Sequence, residues 1–360
     1  MAVIICVVRG GANAGVKLPR TAGNAKIPMM NNWLLPVVRD WAEWAAIFTD
    51  VTLWRPVVET VWQADEQLRA ASGVSELTRV EGGYPGTCAV FLVDASAVIK
   101  FFPPMVAHDF ERELTAYRLI RGHISRIPNL LSHGTFLDQI EWPYLAVSFL
   151  PGDAWRVVRA RIEPAQAMEI MSELGRIVRD LHNIPLPPSG SWPSASAWEM
   201  MAGSRLAQAG DDLRRGTALS EAVIAEIEGF LARVYWFGES PCLLHSDLTE
   251  DHLLVVESGD HWTLAGLIDW ADAEVGPPAY DWVALWFSIC HRDPALLRAF
   301  FHGYGAPVGD SVQELAAMTY LHRFGPSIIS EVLTPDEQRA IASLNELNRS
   351  LFGMLPTVIP

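Results

Sequence analysis

The chain has almost no lysine: Lys17, Lys26 and Lys100 stand against 24 arginines. Carboxylates outnumber the basic side chains, and a formal net charge of −15 repels phosphate backbones and anionic lipid surfaces. Neither a nucleic-acid partner nor a membrane partner is expected. Cysteine is scarce too. Cys6, Cys88, Cys242 and Cys290 lie far apart, with no CxxC pair and no His/Cys cluster of zinc-site spacing. That spacing argues against a disulfide framework and a structural zinc, and for reduced thiols in a cytoplasmic protein. No apolar run reaches the roughly 18 residues a membrane helix needs. The apolar opening MAVIICVV has no basic region before it and meets Arg9 too early for a signal peptide. Charged residues make up only 19% of the chain, which argues against a disordered polyelectrolyte.

What is present is apolar mass. Half of the 360 residues are hydrophobic and 14 are Trp, enough for a buried core shared by two domains of about 100–200 residues each. Residues 1–30 carry Gly10, Gly11, Gly15, Gly23 and two of the lysines with little periodicity, and a flexible N-terminal extension is expected there. Trp41, Trp44, Ala45 and Phe48 form one helical stripe, and Val57, Val58, Val61 and Leu68 form another. From Leu77 to Phe102 the period shortens. The runs TRVEGG, CAVFLV and AVIKFF alternate with glycine-rich and Asp94-Ala95-Ser96 turns, the pattern of an antiparallel sheet. A helix over AHDFERELTAYRLIR and strands at SHGTF and PYLAVSFL complete a β-rich lobe that ends at Pro151-Gly152. Residues 164–183, 195–213, 219–236 and several stretches after Ala279 read as helices. The expectation is an α+β fold: a small β-rich N-lobe over 31–150, with its N-terminal helices, and a larger, mainly helical C-lobe over 151–360.

Past residue 30 the chain uses Arg for every basic position except Lys100. A compact ammonium closing the strand AVIK suits a point-charge contact with nucleotide phosphate, where a planar guanidinium is larger and differently shaped. Upstream, the turn EGGYPGT, with Gly83 and Gly86, offers backbone amides to phosphates without being a strict GxGxxG. Downstream, Glu113 on the next helix is the expected partner that positions the lysine, with Glu111 as its rival.

Residues 239–291 contain ten carboxylates and neither Lys nor Arg. Such a run calls for a cation, either a divalent metal, a basic substrate, or both. Within it, strand CLL leads to His245-Ser246-Asp247, LLVV follows, and strand LAGLI leads to Asp269-Trp270-Ala271. The order places Asp247 and Asp269 at two neighbouring strand ends, on either side of a tight hairpin. In phosphoryl transfer one carboxylate deprotonates the attacking hydroxyl while another holds the metal ions on the nucleotide phosphates.

HSDLTEDHLL followed by GLIDWADAEVGPPAYDWVAL resembles the catalytic and metal loops of the aminoglycoside phosphotransferase and choline kinase superfamily, over roughly residues 76–305. The resemblance implies a two-lobed, protein-kinase-like fold, ATP or GTP as phosphate donor, and Mg2+. It implies Asp247 as catalytic base, Asp269 as metal ligand, and His252 where an Asn metal ligand is usual. It further implies Lys100 as the phosphate-binding lysine, Glu113 as its partner, and Ser148, Phe149 and Leu150 as the hinge whose backbone meets adenine. The resemblance also implies that His245 and Asp281 brace the loop. Imidazole nitrogen suits a hard cation less well than an amide oxygen, so His252 is the main departure from the family pattern.

The expected acceptor is a hydroxyl of a small cationic molecule, of the aminoglycoside antibiotic type, with Asp272 and Glu274 as ammonium ligands. Choline, a sugar or a macrolide would use the same phosphate machinery. Trp270, Trp282 and Trp286 suggest an aromatic cage, although the i, i+4 spacing of the last two favours core packing. A kinase-fold binding protein that has lost turnover is the alternative from another class, and His252 is the feature favouring it.

Overall fold

The two apolar stripes over residues 41–72 become three helices, α1 (Trp41–Ala45), α2 (Val51–Ala64) and α3 (Glu66–Ser72). Asp40, Asp50 and Asp65 cap them by accepting hydrogen bonds from first-turn N–H groups, which satisfies donors that a helix start leaves unpaired. The computed structural model describes residues 25–27, 34–74, 76–82, 84, 86–187, 189–190, 192–234, 241–305, 308–353 and 355, with backbone alone at 25–27 and 308–313. Contacts divide the chain into two units, one of residues 1–121 and 127–150, the other of 122–126 and 151–360.

The first unit is built on a six-stranded sheet. Its strands are β1 (Ala25–Ile27), β2 (Val80–Glu81), β3 (Ala89–Val93), β4 (Ala97–Phe101), β5 (Leu130–Leu137) and β6 (Glu141–Ser148), in spatial order β1-β5-β6-β4-β3-β2. Only β1, beside β5, is parallel to its neighbour. The Asp94-Ala95-Ser96 turn closes the β3–β4 hairpin with positive φ at Asp94 and Ala95, the backbone twist that two-residue hairpin turns favour. Trp54, Val57, Val58 and Val61 of α2 share one buried cluster with Phe91, Ile99, Phe101, Trp142 and Tyr144 of the sheet. The Trp54 ring lies 5.0 Å from Phe101 and 5.4 Å from Trp142, edge-on to the latter. These rings are the largest apolar payload of the unit. Helix α4 (Ala107–Ile120) follows β4 and buries Phe110, Glu113, Leu114 and Tyr117.

At the start of the second unit the chain passes through Gly152 (φ +153°), where a Cβ would come within 2.9 Å of the Val255 carbonyl oxygen. Only glycine permits that approach, so Pro151-Gly152 is demanded by packing as well as by the turn. Strand β7 (Asp153–Ala154) then joins the edge of a three-stranded sheet whose other members are β9 (Leu253–Ser258) and β10 (His261–Leu267). A separate pair, β8 (Cys242–Leu244) and β11 (Glu274–Gly276), is antiparallel. Around these strands lie α5 (Trp155–Val158), α6 (Pro164–His182), α7 (Ala195–Gly216), α8 (Glu221–Leu231), α9 (Ala279–Ala284), α10 (Pro294–Tyr304), α11 (Val308–Leu321), α12 (Gly325–Val332), α13 (Pro335–Ala340) and α14 (Leu344–Phe352). A π-helical segment, Leu285–Ile289, continues α9. Helices α6 and α10 pack closely at Gly175 and Gly303, where any side chain would strike the partner backbone. No helix among the described residues is long and apolar enough to cross a membrane.

Candidate functional site

In the first unit Lys100 sits on β4 with its backbone between Val90 and Leu145. Its Nζ lies 2.9 Å from Oε2 of Glu113, and the two side chains are only 12% and 3% exposed. Glu113 lies on the buried face of α4, whereas Glu111, two residues earlier, faces solvent. The helical phase selects the partner: residues 110, 113, 114 and 117 form the apolar stripe, and 111 falls outside it. A buried carboxylate without a counter-charge is costly, so strand and helix hold the ammonium jointly. Of the two glycines expected at phosphate, Gly83 lies outside the described residues. A Cβ at Gly86 would meet nothing within 4 Å, so packing does not require a glycine there. At the expected hinge, the Ser148 N–H donates to the Asn129 carbonyl (2.8 Å) and the Phe149 N–H to the Ser96 carbonyl (2.9 Å). Leu150 follows as the last residue of the unit.

In the second unit the segment after β8 is held by one carboxylate. Asp281, fully buried at the start of α9, accepts from the backbone N–H of His245 (3.0 Å) and of Ser246 (2.6 Å). His182 of α6 meets the same carboxylate at 3.0 Å. Ser246 itself is left-handed (φ +63°), a strained conformation for a residue with a side chain. Three contacts on Asp281 hold that strain in place. Asp281→Ala strands two buried N–H groups and should cost on the order of 3 kcal/mol of stability. Denaturant unfolding measures this, and a melt superimposable on the parent's would contradict it.

Asp247 and Asp269 lie on either side of the β9–β10 hairpin, but the strands that lead to them are not the neighbours that the sequence order suggests. Asp247 follows β8, which pairs with β11, while Asp269 follows β10, which pairs with β9. The β9–β10 hairpin turns at its far end, so its open end carries His252 immediately before β9 and Asp269 just past β10, with Ile268 N–H bonded to His252 C=O at 3.1 Å. His252 brings the two carboxylates together. Its Nδ1 is 2.8 Å from the Asp247 carbonyl oxygen and 3.5 Å from Asp247 Oδ2, and its Nε2 is 3.7 Å from Asp269 Oδ2. A carbonyl oxygen can only accept, so Nδ1 carries the hydrogen, and in the neutral ring the Nε2 lone pair faces Asp269. Asp269 is also left-handed (φ +64°), so both acidic loops carry strained backbone.

Burial pushes the Asp247 carboxyl above the ordinary carboxylate range, and the neighbouring Asp272 adds to this, while His252, His245 and Arg323 oppose it. His245, fully buried and donating from Nε2 to the Ile268 carbonyl, is held below the usual imidazole range by burial and then by His252. Among the described residues no cluster of three His, Cys, Asp or Glu side chains forms a ready-made metal cage. His252 and Asp269 are therefore at most a two-donor set, which suits a cation whose other ligands are phosphate oxygens and water.

The residue that sequence reasoning missed is Arg323, from the corner between α11 and α12. Its Nη2 lies 2.9 Å from Asp272 Oδ1, with both side chains about one-fifth exposed (18% and 21%). Burial alone disfavours its charge, but Asp272, Tyr280, Glu274 and Asp247 together hold it protonated. Only the length of the neighbouring carboxylate run, which needs a counter-charge, hinted at such a residue. Trp270, Trp282 and Trp286 are all buried, against His245, Phe301 and the Leu351 carbonyl respectively, and form no cage.

The profile of the phosphotransferase enzyme family, APH, matches residues 76–318. The chain belongs to this phosphotransferase family. Solved structures carry the same kinase-like fold. The chain superposes on the GDP complex of wild-type aminoglycoside 2'-phosphotransferase-IIIa with a TM-score of 0.55, at 17% identity over 79% of its own length and 95% of the other. The streptomycin-ATP ternary complex of APH(2")-IIa gives a TM-score of 0.51, at 15% identity over 76% and 92%. Identities this low establish the fold and leave the acceptor open. Among curated proteins, YcbJ of Bacillus subtilis (strain 168) is 32% identical over 80 residues, 22% of this chain and 25% of YcbJ. The chain spans about a quarter of the length of the curated relatives it matches.

Proposed function

We propose that the protein transfers the γ-phosphate of ATP or GTP to a hydroxyl of a small cationic molecule, of the aminoglycoside type, in the cytoplasm. The observation that carries this reading is the convergence of Asp247 and Asp269 on one imidazole, at 3.5 and 3.7 Å. Asp247 takes the proton of the attacking hydroxyl, a role that its raised proton affinity assists. Asp269 and the Nε2 lone pair of His252 would hold Mg2+. When bound, the ion neutralises charge on the nucleotide phosphates. Lys100, steadied by Glu113, contacts a phosphate oxygen, and the turn with Gly83 and Gly86 offers its amides. The backbone of Ser148, Phe149 and Leu150 receives the base of the nucleotide. Two of its N–H groups, those of Ser148 and Phe149, are already bonded internally, so the contact falls to the backbone of Leu150.

Nucleotide consumption across a panel of aminoglycosides, choline, sugars and macrolides tests the reading. Consumption that depends on one acceptor class is the expected outcome, and no acceptor-dependent consumption would overturn it. The pH profile adds a second check. The base works deprotonated, so turnover should fall as pH drops through an apparent pKa above the ordinary carboxylate value of about 4. Asp272→Asn removes a neighbouring negative charge that raises this pKa. The acidic limb should therefore move to lower pH in that variant, and a limb that stays in place would dissociate it from Asp247.

A further inference from the structure

The ten carboxylates of residues 239–291 lack basic partners within that segment, yet several are matched by cations from elsewhere in the second unit. Arg156 meets Asp251 at 2.6 Å, Arg161 meets Glu257 at 3.0 Å, and Arg323 meets Asp272 at 2.9 Å. The first two pairs are well exposed. The third is largely buried, and its Asp272 lies three residues past Asp269, in the loop that converges with Asp247 on His252.

Arg323 is fixed on several sides. Its guanidinium lies 4.7 Å from the ring centroid of Phe324, and its neighbour His322 packs at a tilt of 34° against Tyr280 with centroids 4.3 Å apart. Tyr280 in turn receives a hydrogen bond from Arg205 of α7, whose guanidinium also lies over the Tyr280 ring. Two arginines from two separate helical regions thus meet at Tyr280, and one of them is paired with Asp272. That is a fixed arrangement of charge, unlike the solvated pairs on the surface, which contribute little.

Resting on the phosphotransferase reading above, we propose that Arg323 is a specificity-determining residue. As the resident counter-ion of Asp272, it leaves the ground beside Asp247 to the uncharged, hydroxyl-bearing part of the acceptor, while the acceptor's ammonium groups bind at other carboxylates. Asp272, expected from the sequence to receive an ammonium, is then unavailable in the parent protein. Its place beside the base would otherwise make it an attractive subsite for a polycation.

Kanamycin binding in the absence of nucleotide, measured by calorimetry at fixed ionic strength, tests this independently of turnover. Arg323→Gln should bind kanamycin about tenfold more tightly than the parent. Adding Asp272→Asn should remove the gain, and Arg323→Lys, which exposes only part of the carboxylate, should show a smaller gain than Arg323→Gln. Unchanged affinity in Arg323→Gln, absence of binding included, overturns the proposal. So does a loss caused by Asp272→Asn that is as large in the parent as in the Arg323→Gln background. Should Arg323→Gln fail to fold, Arg323→Lys with and without Asp272→Asn decides, since the lysine exposes part of the carboxylate while keeping the charge. A loss on adding Asp272→Asn supports the proposal there, and no loss overturns it. Failure of the phosphotransferase reading itself would appear elsewhere, as no acceptor-dependent nucleotide consumption by the parent.

Discussion

Asp247→Ala is expected to lower turnover by about 10² to 10⁴ while leaving nucleotide affinity within about twofold of the parent. The carboxylate is proposed to act only on the acceptor proton, so its removal raises the barrier without removing a contact to the donor. Single-turnover rates and nucleotide titration separate the two effects. Equal rates in mutant and parent would eliminate Asp247 as the base. Misfolding is a poor explanation for such a loss, and the sign of the stability change checks it. The folded state raises the Asp247 pKa through burial, so the ionised group opposes folding at neutral pH. Its contribution is most favourable below the unfolded carboxylate pKa and is lost as pH rises through the folded value. Asp247→Asn should therefore melt no lower than the parent at pH 7, and roughly 1–3 °C higher if the opposition is fully relieved. Near pH 3, where both states are protonated, the difference should vanish.

The sheet and the principal helices were legible in the sequence because their periods were unbroken. The stripe Val57, Val58, Val61 and Leu68 is fully buried, and AVIK and PYLAVSFL lie in the adjacent strands β4 and β6. Helix phase alone distinguished Glu113 from Glu111. Pairing between strands was less legible. Proximity along the chain suggests that the strands leading to Asp247 and Asp269 are neighbours, whereas β8 instead pairs with β11, about thirty residues later in the chain. Nothing in a period-two pattern states which strand a short apolar run chooses. His252 was read as a departure from the family pattern. Its position between two carboxylates depends on the Thr249–His252 turn, in which Thr249 N–H bonds to Asp247 C=O and His252 N–H to Thr249 C=O. Arg323 was invisible for a related reason. A counter-charge fifty residues away in sequence leaves no local signature, so the acidic run looked uncompensated and its partner was sought in a ligand.

Asp269→Ala should abolish magnesium-dependent nucleotide binding, a different failure from that of Asp247→Ala. The proposed donor set here is small, His252 Nε2 and the Asp269 carboxylate, and the carboxylate is the only charged member. A neutral imidazole alone is a weak ligand for a hard cation, so loss of Asp269 leaves little to hold Mg2+. Calorimetric titration with ATP or GTP, with and without Mg2+, should give parent affinity that rises on adding the metal and mutant affinity that does not respond to it. His252→Asn supplies the contrast. It replaces nitrogen by an amide oxygen and retains Asp269, so the magnesium response should persist or strengthen. It also removes the Nδ1–H bond to the Asp247 carbonyl, and any loss of turnover without loss of the magnesium response would assign His252 to positioning the Asp247 loop. Should Asp269→Ala keep the parent's magnesium response, the metal is held by other groups, and the convergence of the two acidic loops on His252 has another purpose.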